Sequence, residues 1–162
     1  MYNTCPISGE YRKEIIDIFN YYVENGFSAY PDEKVPYDFY DKFFARMTNY
    51  PTILAKTSED EVLGFGTLYP FHPLSVFKKT AEIAYFIKPG ETGKGLGTYM
   101  LNKLLSQAQD REINNILANI SSFNEGSIRF HKKNGFEECG RFKKVGEKSG
   151  KVFDMIWMQK LL

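Results

Sequence analysis

Cysteine is scarce in this 162-residue chain: there are two, Cys5 and Cys139, with neither a Cys-x-x-Cys spacing nor histidines clustered beside them. A disulfide framework and a zinc site are therefore not indicated, and each cysteine reads as a small buried hydrophobe. A nucleophilic role for Cys139 would need a base that the sequence does not place. Charge of one sign is also missing. With 21 basic residues against 20 acidic ones, nothing in the global balance calls for a nucleic-acid or membrane partner. No stretch approaches the ~20 apolar residues of a membrane span. The start, Met1-Tyr2-Asn3-Thr4-Cys5, lacks a basic segment followed by an apolar core, so no secretory signal is visible and a cytoplasmic location is expected. Repeats, linkers and low-complexity tracts are absent too, which leaves one domain over residues 1–162.

What is present is a glycine-rich turn, Lys88-Pro89-Gly90-Glu91-Thr92-Gly93-Lys94-Gly95-Leu96-Gly97-Thr98. Before it, Ala81 to Ile87 (AEIAYFI) is apolar and β-prone apart from one acid. After it, Leu96, Met100, Leu101, Leu104, Leu105 and Ala108 recur at helical spacing. Strand, glycine turn and helix in that order make an anion cradle: glycines admit a ligand close to the backbone, and the helix start offers free N–H groups and a positive dipole end. Two nucleotide signatures fail on spacing. A Walker loop needs a hydroxyl after Gly-Lys, but Gly95 follows Gly93-Lys94; a dinucleotide fingerprint needs a third glycine where Met100 stands.

Periodicity further predicts strands near 2–7, 52–57, 61–69, 80–88, 115–121, 136–144 and 152–160. Helices are expected near 10–25, 37–48, 96–111 and 124–133, the last capped by Asn124 and ended by Asn134-Gly135. An antiparallel meander entering a βαβ crossover implies an α/β domain, with a mixed, mostly antiparallel central sheet flanked by helices.

The glycine turn and the segment Asn124-Glu125-Gly126-Ser127-Ile128-Arg129-Phe130-His131-Lys132-Lys133-Asn134-Gly135-Phe136 together resemble the GNAT superfamily of acetyl-CoA-dependent N-acetyltransferases. Leu68-Tyr69-Pro70-Phe71-His72-Pro73, Thr80-Ala81-Glu82, Val145-Gly146, Asp154 and Met158-Gln159 resemble, more narrowly, its phosphinothricin and methionine-sulfone acetyltransferase branch. The resemblance runs from about Ile15 to the end. It implies acetyl-CoA as co-substrate, no metal, a small amine acceptor and a homodimer. It also implies that Thr92, Gly93, Lys94, Gly95, Leu96, Gly97 and Thr98 hold the CoA pyrophosphate, with Asn124 and Ser127 near the pantetheine. The family's Arg or Gln is replaced by Thr92, a loss that Lys94 could offset as a point charge.

Amine acetylation makes four demands. A base must take the amine proton. Glu82 interrupts an apolar strand whose alternation puts Glu82, Ala84 and Phe86 on one face and Ile83, Tyr85 and Ile87 on the other. Partial burial there would raise its pKa as a base requires, and Thr-Ala-Glu matches the branch's catalytic glutamate; a salt bridge to Lys78, Lys79 or Lys88 is the structural alternative. Backbone N–H groups must steady the thioester oxygen, and the matching residues are Tyr85, Phe86 and Ile87, with core side chains. An acid must help the thiolate leave, and His131 occupies the place where many family members have Tyr.

Last, the acceptor must be held. The branch reads its carboxylate or phosphinate with a basic residue before the Thr-Ala-Glu strand, but here His72 and Leu74 stand at those places, with Phe77 and Lys78 nearby and Tyr30 at the branch's aromatic position. The expected activity is direct acetyl transfer in a ternary complex to an amino-acid-like acceptor of the phosphinothricin, methionine sulfone or sulfoximine type. A polyamine, an aminoglycoside or a protein amine is the alternative acceptor, and a non-catalytic acetyl-CoA-binding module the alternative class.

Overall fold

Helix α1 (Arg12–Glu24) follows from Ile15, Ile16, Phe19 and Val23 recurring on one face, all of them buried. The computed structural model describes residues 2–44, 47 and 49–162. Helix α2 spans Phe39–Phe44; the rest of the helix expected to residue 48 falls partly on residues 45, 46 and 48, which lie outside the described residues. The remaining helices are α3 (Leu96–Gln109) and α4 (Glu125–Lys133).

The strands are β1 (Asn3–Cys5), β2 (Thr52–Lys56), β3 (Val62–Pro70), β4 (Thr80–Ile87), β5 (Asn115–Ser121), β6 (Glu137–Lys148) and β7 (Lys151–Leu161). They form one sheet in the order β1-β2-β3-β4-β5-β7-β6. Every pair is antiparallel except β4 with β5, which the α3 crossover joins in parallel. That is the mixed, mostly antiparallel sheet that the meander and crossover implied.

Alternation divides the core between the two faces of this sheet. Ile53, Leu68 and Ile83 pack with α3 through Met100, Leu101 and Leu104. Leu54 and Phe65 pack on the other face with α1 through Ile15, Ile16 and Phe19. Each buried aliphatic or aromatic side chain is worth about 1.5–3 kcal/mol relative to exposure, so this two-sided burial holds the sheet between its helices.

Three expectations differ in detail. The first strand is three residues long and ends before Pro6, which has no N–H for a ladder. The last two strands reach further than expected, because Ser149 and Gly150, with φ of 51° and 71°, make a tight two-residue turn between Lys148 and Lys151. Positive φ at both turn residues is the type I′ pattern, whose twist suits a hairpin. Cys139, read as buried, is exposed, and Cys5 is only partly covered. Cys139 falls where the β6 register shifts, between Glu138 and Gly140, on the sheet's edge strand.

Candidate active site

The parallel ladder between β4 and β5 covers Thr80–Glu82 and Asn115–Leu117 and stops there. Beyond it the two strands separate, although β4 continues to Ile87 and β5 to Ser121. A cavity of about 810 Å³ occupies the gap, lined by Ile83–Ile87 of β4 and Ala118–Ser121 of β5. The segment 27–31, the glycine turn and the start of α4 complete its wall. Tyr85 and Ile87 therefore turn their backbone N–H and C=O to the cavity along an edge that no described strand covers, whereas the Phe86 backbone, expected with them, pairs with Phe65 of β3 because successive peptide groups face opposite edges. Their side chains divide as alternation requires: Phe86 packs against Phe19 and Phe65, and Tyr85 against Phe130.

At one end, Gly93 and Gly95 adopt φ of 77° and 86°, the left-handed region that side chains enter at a cost of about 1–2 kcal/mol. Gly95 is the residue before α3, and no side chain caps the helix. Its first-turn N–H groups, beside Gly97 and Thr98 in the cavity wall, are thus open to an anion. Gly97 meets a different constraint: a Cβ there would lie 3.3 Å from Ile87 Cδ1 and from Phe130 Cε2. Thr92 also lines the cavity. Leu96 instead points into the core and Lys94 pairs with Glu91 at 3.0 Å.

Asn124 caps α4. Its Oδ1 accepts from the Ser127 amide at 3.2 Å, and its Nδ2 donates to Ser28 Oγ at 3.0 Å, tying α4 to the segment after α1. His131 is buried within α4. Nδ1 donates to the Ser127 carbonyl at 2.7 Å, which leaves Nε2 to accept from the Tyr85 hydroxyl at 2.5 Å. Burial pushes the His131 pKa down, against the opposing effect of the Ser127 carbonyl. His131 is therefore a neutral ring held by Tyr85 and not a free surface histidine.

Glu82 is partly buried behind this wall. Its Oε2 accepts from Asn119 Nδ2 at 2.8 Å and from the Tyr69 hydroxyl at 3.0 Å, and both partners line the cavity. Burial raises the Glu82 pKa, and the two hydrogen bonds oppose the rise without cancelling it. No ion pair to Lys78, Lys79 or Lys88 is formed; Lys88 pairs with Glu61. Tyr30 stacks on Phe153 with ring centroids 5.8 Å apart and 7° between planes. Burial, aided by the Glu82 carboxylate, pushes the Tyr30 hydroxyl up to about 12.

The loop before β4 lies elsewhere. His72, Leu74, Phe77 and Lys78 are not in the wall of this cavity. His72 Nδ1 accepts from the Leu74 amide and its ring packs on Phe77, while Lys78 borders a smaller cleft with Lys79 and Arg111. Their distance from the strand gap comes from β3 and β4 staying paired up to Pro70 and Ala81, which carries the connecting loop past the end where β4 and β5 are still joined.

Asn119, Tyr69 and Ser28 are the site residues that sequence reasoning overlooked. Asn119 left a signal, as a polar residue interrupting the apolar run of β5. Tyr69 stood in the Leu68–Pro73 motif with no role attached, and only register set it opposite Glu82. Among the described residues, no group of three or more His, Cys, Asp or Glu is placed to hold a metal ion, and no helix is long and apolar enough to cross a membrane.

Comparison with known proteins places this chain in a family. Residues 15–136 match the Acetyltransferase (GNAT) family, and the chain belongs to it. It is 34% identical over 110 residues to the L-methionine sulfoximine/L-methionine sulfone acetyltransferase of Pseudomonas aeruginosa, covering 68% of this chain and 64% of that protein. The chain thus spans somewhat less than two thirds of that relative. It is 23% identical to the phosphinothricin N-acetyltransferase of Streptomyces coelicolor, over 93% of this chain and 90% of that one. The structure of yncA from Salmonella typhimurium with its cofactor acetyl-CoA superimposes with a TM-score of 0.91 at 26% identity, covering 100% of this chain and 94% of that one.

Proposed function

We propose that this protein transfers the acetyl group of acetyl-CoA to the primary amine of a small amino-acid-like acceptor, by direct attack in a ternary complex. The observation that carries the reading is one continuous cavity joining the uncapped glycine turn to the partners of a partly buried, pKa-raised carboxylate, Glu82. The cavity residues fit the donor. Positive-φ glycines admit a pyrophosphate to backbone N–H groups, and the uncovered edge of β4 can pair with an extended amide chain.

When bound, acetyl-CoA supplies an activated thioester. Glu82 accepts the proton that the acceptor ammonium must lose, directly or through a water beside Tyr69 and Asn119. The backbone N–H groups of Tyr85 and Ile87, on the edge of β4 that faces the gap, are the donors for the acyl oxygen as it gains charge, while that of Phe86 faces β3. The departing sulfur takes the proton that the newly acylated nitrogen sheds; His131, neutral, with its Nδ1–H on the Ser127 carbonyl and its Nε2 on the Tyr85 hydroxyl, lines the cavity as a binding group for the donor. Aromatic walls from Phe27, Tyr30 and Tyr69 suit the aliphatic body of an amino-acid analogue, and the names of the relatives support that acceptor class.

The test is free-thiol release from acetyl-CoA across phosphinothricin, methionine sulfone, methionine sulfoximine, ordinary amino acids, spermidine and an aminoglycoside. Turnover concentrated on the amino-acid analogues is the expected result. Turnover on the polycations alone would overturn the acceptor class, and tight acetyl-CoA binding without turnover of any amine would make the chain a binding module.

A further inference from the structure

The last residue of β6 is a lysine with 4% of its surface exposed. Lys148 Nζ donates to three main-chain carbonyls: Val23 at 2.7 Å, Gly26 at 2.9 Å and Ala29 at 2.8 Å. An ammonium has three N–H donors, so all three are used, and on one short segment. Val23 lies in the last turn of α1, where carbonyls lose their intrahelical partners and the dipole favours a cation. Burial lowers the Lys148 pKa, with Asp32 opposing; the three carbonyls replace the water it has lost.

The segment so held has no regular structure after α1 ends, yet Phe27, Ser28, Ala29 and Tyr30 all line the cavity. The same β6–β7 hairpin grips it a second time through Phe153, whose ring stacks on Tyr30 and lies 5.8 Å from the Phe27 ring. Phe153 in turn lies over Gly146, where a Cβ would come within 2.3 Å of Cζ. Backbone is anchored by Lys148, side chains by Phe153, and both anchors belong to one hairpin closed by Ser149-Gly150.

We infer that Lys148 is a positioning residue that, together with Phe153, fixes the Phe27–Tyr30 wall and so sets the fit of the acceptor in the cavity. The inference rests on the acetyltransferase reading above and deepens it. Lys148 touches neither substrate; it acts through the carbonyls of the segment that carries Tyr30. The hairpin is thereby a determinant of which amines are accepted, although it lies outside the glycine turn and the β4 strand.

The test compares wild type with Lys148→Met, which keeps the stem and removes the three donors, and with Phe153→Leu. In both variants the acceptor KM should rise ~10-fold or more with the acetyl-CoA KM nearly unchanged, a split that general loss of folded protein would not produce. Backbone hydrogen exchange at residues 25–30 should speed up in Lys148→Met while the central sheet stays protected. Acceptor KM within twofold of wild type in either folded variant would overturn the inference, as would unchanged exchange at 25–30 in Lys148→Met. If Lys148→Met fails to fold, Phe153→Leu decides by the same KM criterion. If wild type turns over no amine, the proposed function fails separately, and hydrogen exchange still reads whether Lys148 holds the wall.

Discussion

Asn119 Nδ2 donates to Glu82 Oε2 at 2.8 Å, across strands that have just ceased to pair. Tyr69 donates to the same oxygen, and no described residue donates to Oε1. The carboxylate is steadied from one side only. Burial favours its protonated form, the two donors favour its ionised form, and burial prevails. A base with a raised pKa, oriented through one oxygen, is what removal of an ammonium proton near neutrality requires.

Glu82→Gln keeps the shape and both hydrogen-bonding faces but cannot accept a proton. Its turnover should fall by ~10²–10⁴, with acetyl-CoA affinity by calorimetry unchanged. Full activity from pH 6 to 9 would make Glu82 a structural residue.

On the proposed role Glu82 must ionise to act, so the pH profile should show an acidic limb displaced upward from the ordinary glutamate value. Asn119→Ala removes a donor to the ionised form, so this limb should move further up. A limb that stays fixed would show that another group controls it. The same shift enters stability with a definite sign. A raised folded pKa contributes stability that is present below the unfolded glutamate value and lost as pH rises through the folded one. The stability of Glu82→Gln relative to wild type should therefore be greater at pH 7 than at pH 4 in urea unfolding.

Tyr85→Phe strips the one donor that the described residues offer His131 Nε2 in a buried site. Leaving that nitrogen unpaired should cost about 1–3 kcal/mol, read as a lower urea midpoint at constant slope. His131 titrates below the usual histidine value. As pH drops through that usual value, the unfolded chain binds a proton that the folded chain resists, so the His131 contribution, read as the stability of wild type minus that of His131→Gln, should decline from pH 7.5 to 5.5.

Gly95→Val places a β-branched side chain at φ 86°, and Gly97→Val forces a Cβ to 3.3 Å from Ile87 and Phe130. Strain of about 1–2 kcal/mol or more is expected at Gly95, and both changes should weaken acetyl-CoA binding more than they lower the unfolding midpoint. Unchanged affinity in either would remove the glycine turn from the donor site.

The amphipathic faces of α1 and α3, the strand Ala81–Ile87, the turn at Gly93-Gly95 and the cap at Asn124 were all legible in the order of residues. Each depends on neighbours within a turn or two, so spacing alone encodes it. Glu82 stood out for the same reason, as one acid in an apolar strand. Tertiary structure alone decided the rest. The separation of β4 from β5 after Glu82 opens the cavity, and strand register set Tyr69 opposite Glu82. The partner of His131 is 46 residues away and the carbonyls of Lys148 are 119 to 125 residues away. The loop at His72 to Lys78, chosen by its place before the strand, was carried away from the cavity by the continued pairing of β3 with β4. Contacts of this range follow from register, twist and the entry angle of whole elements, and no local periodicity records them.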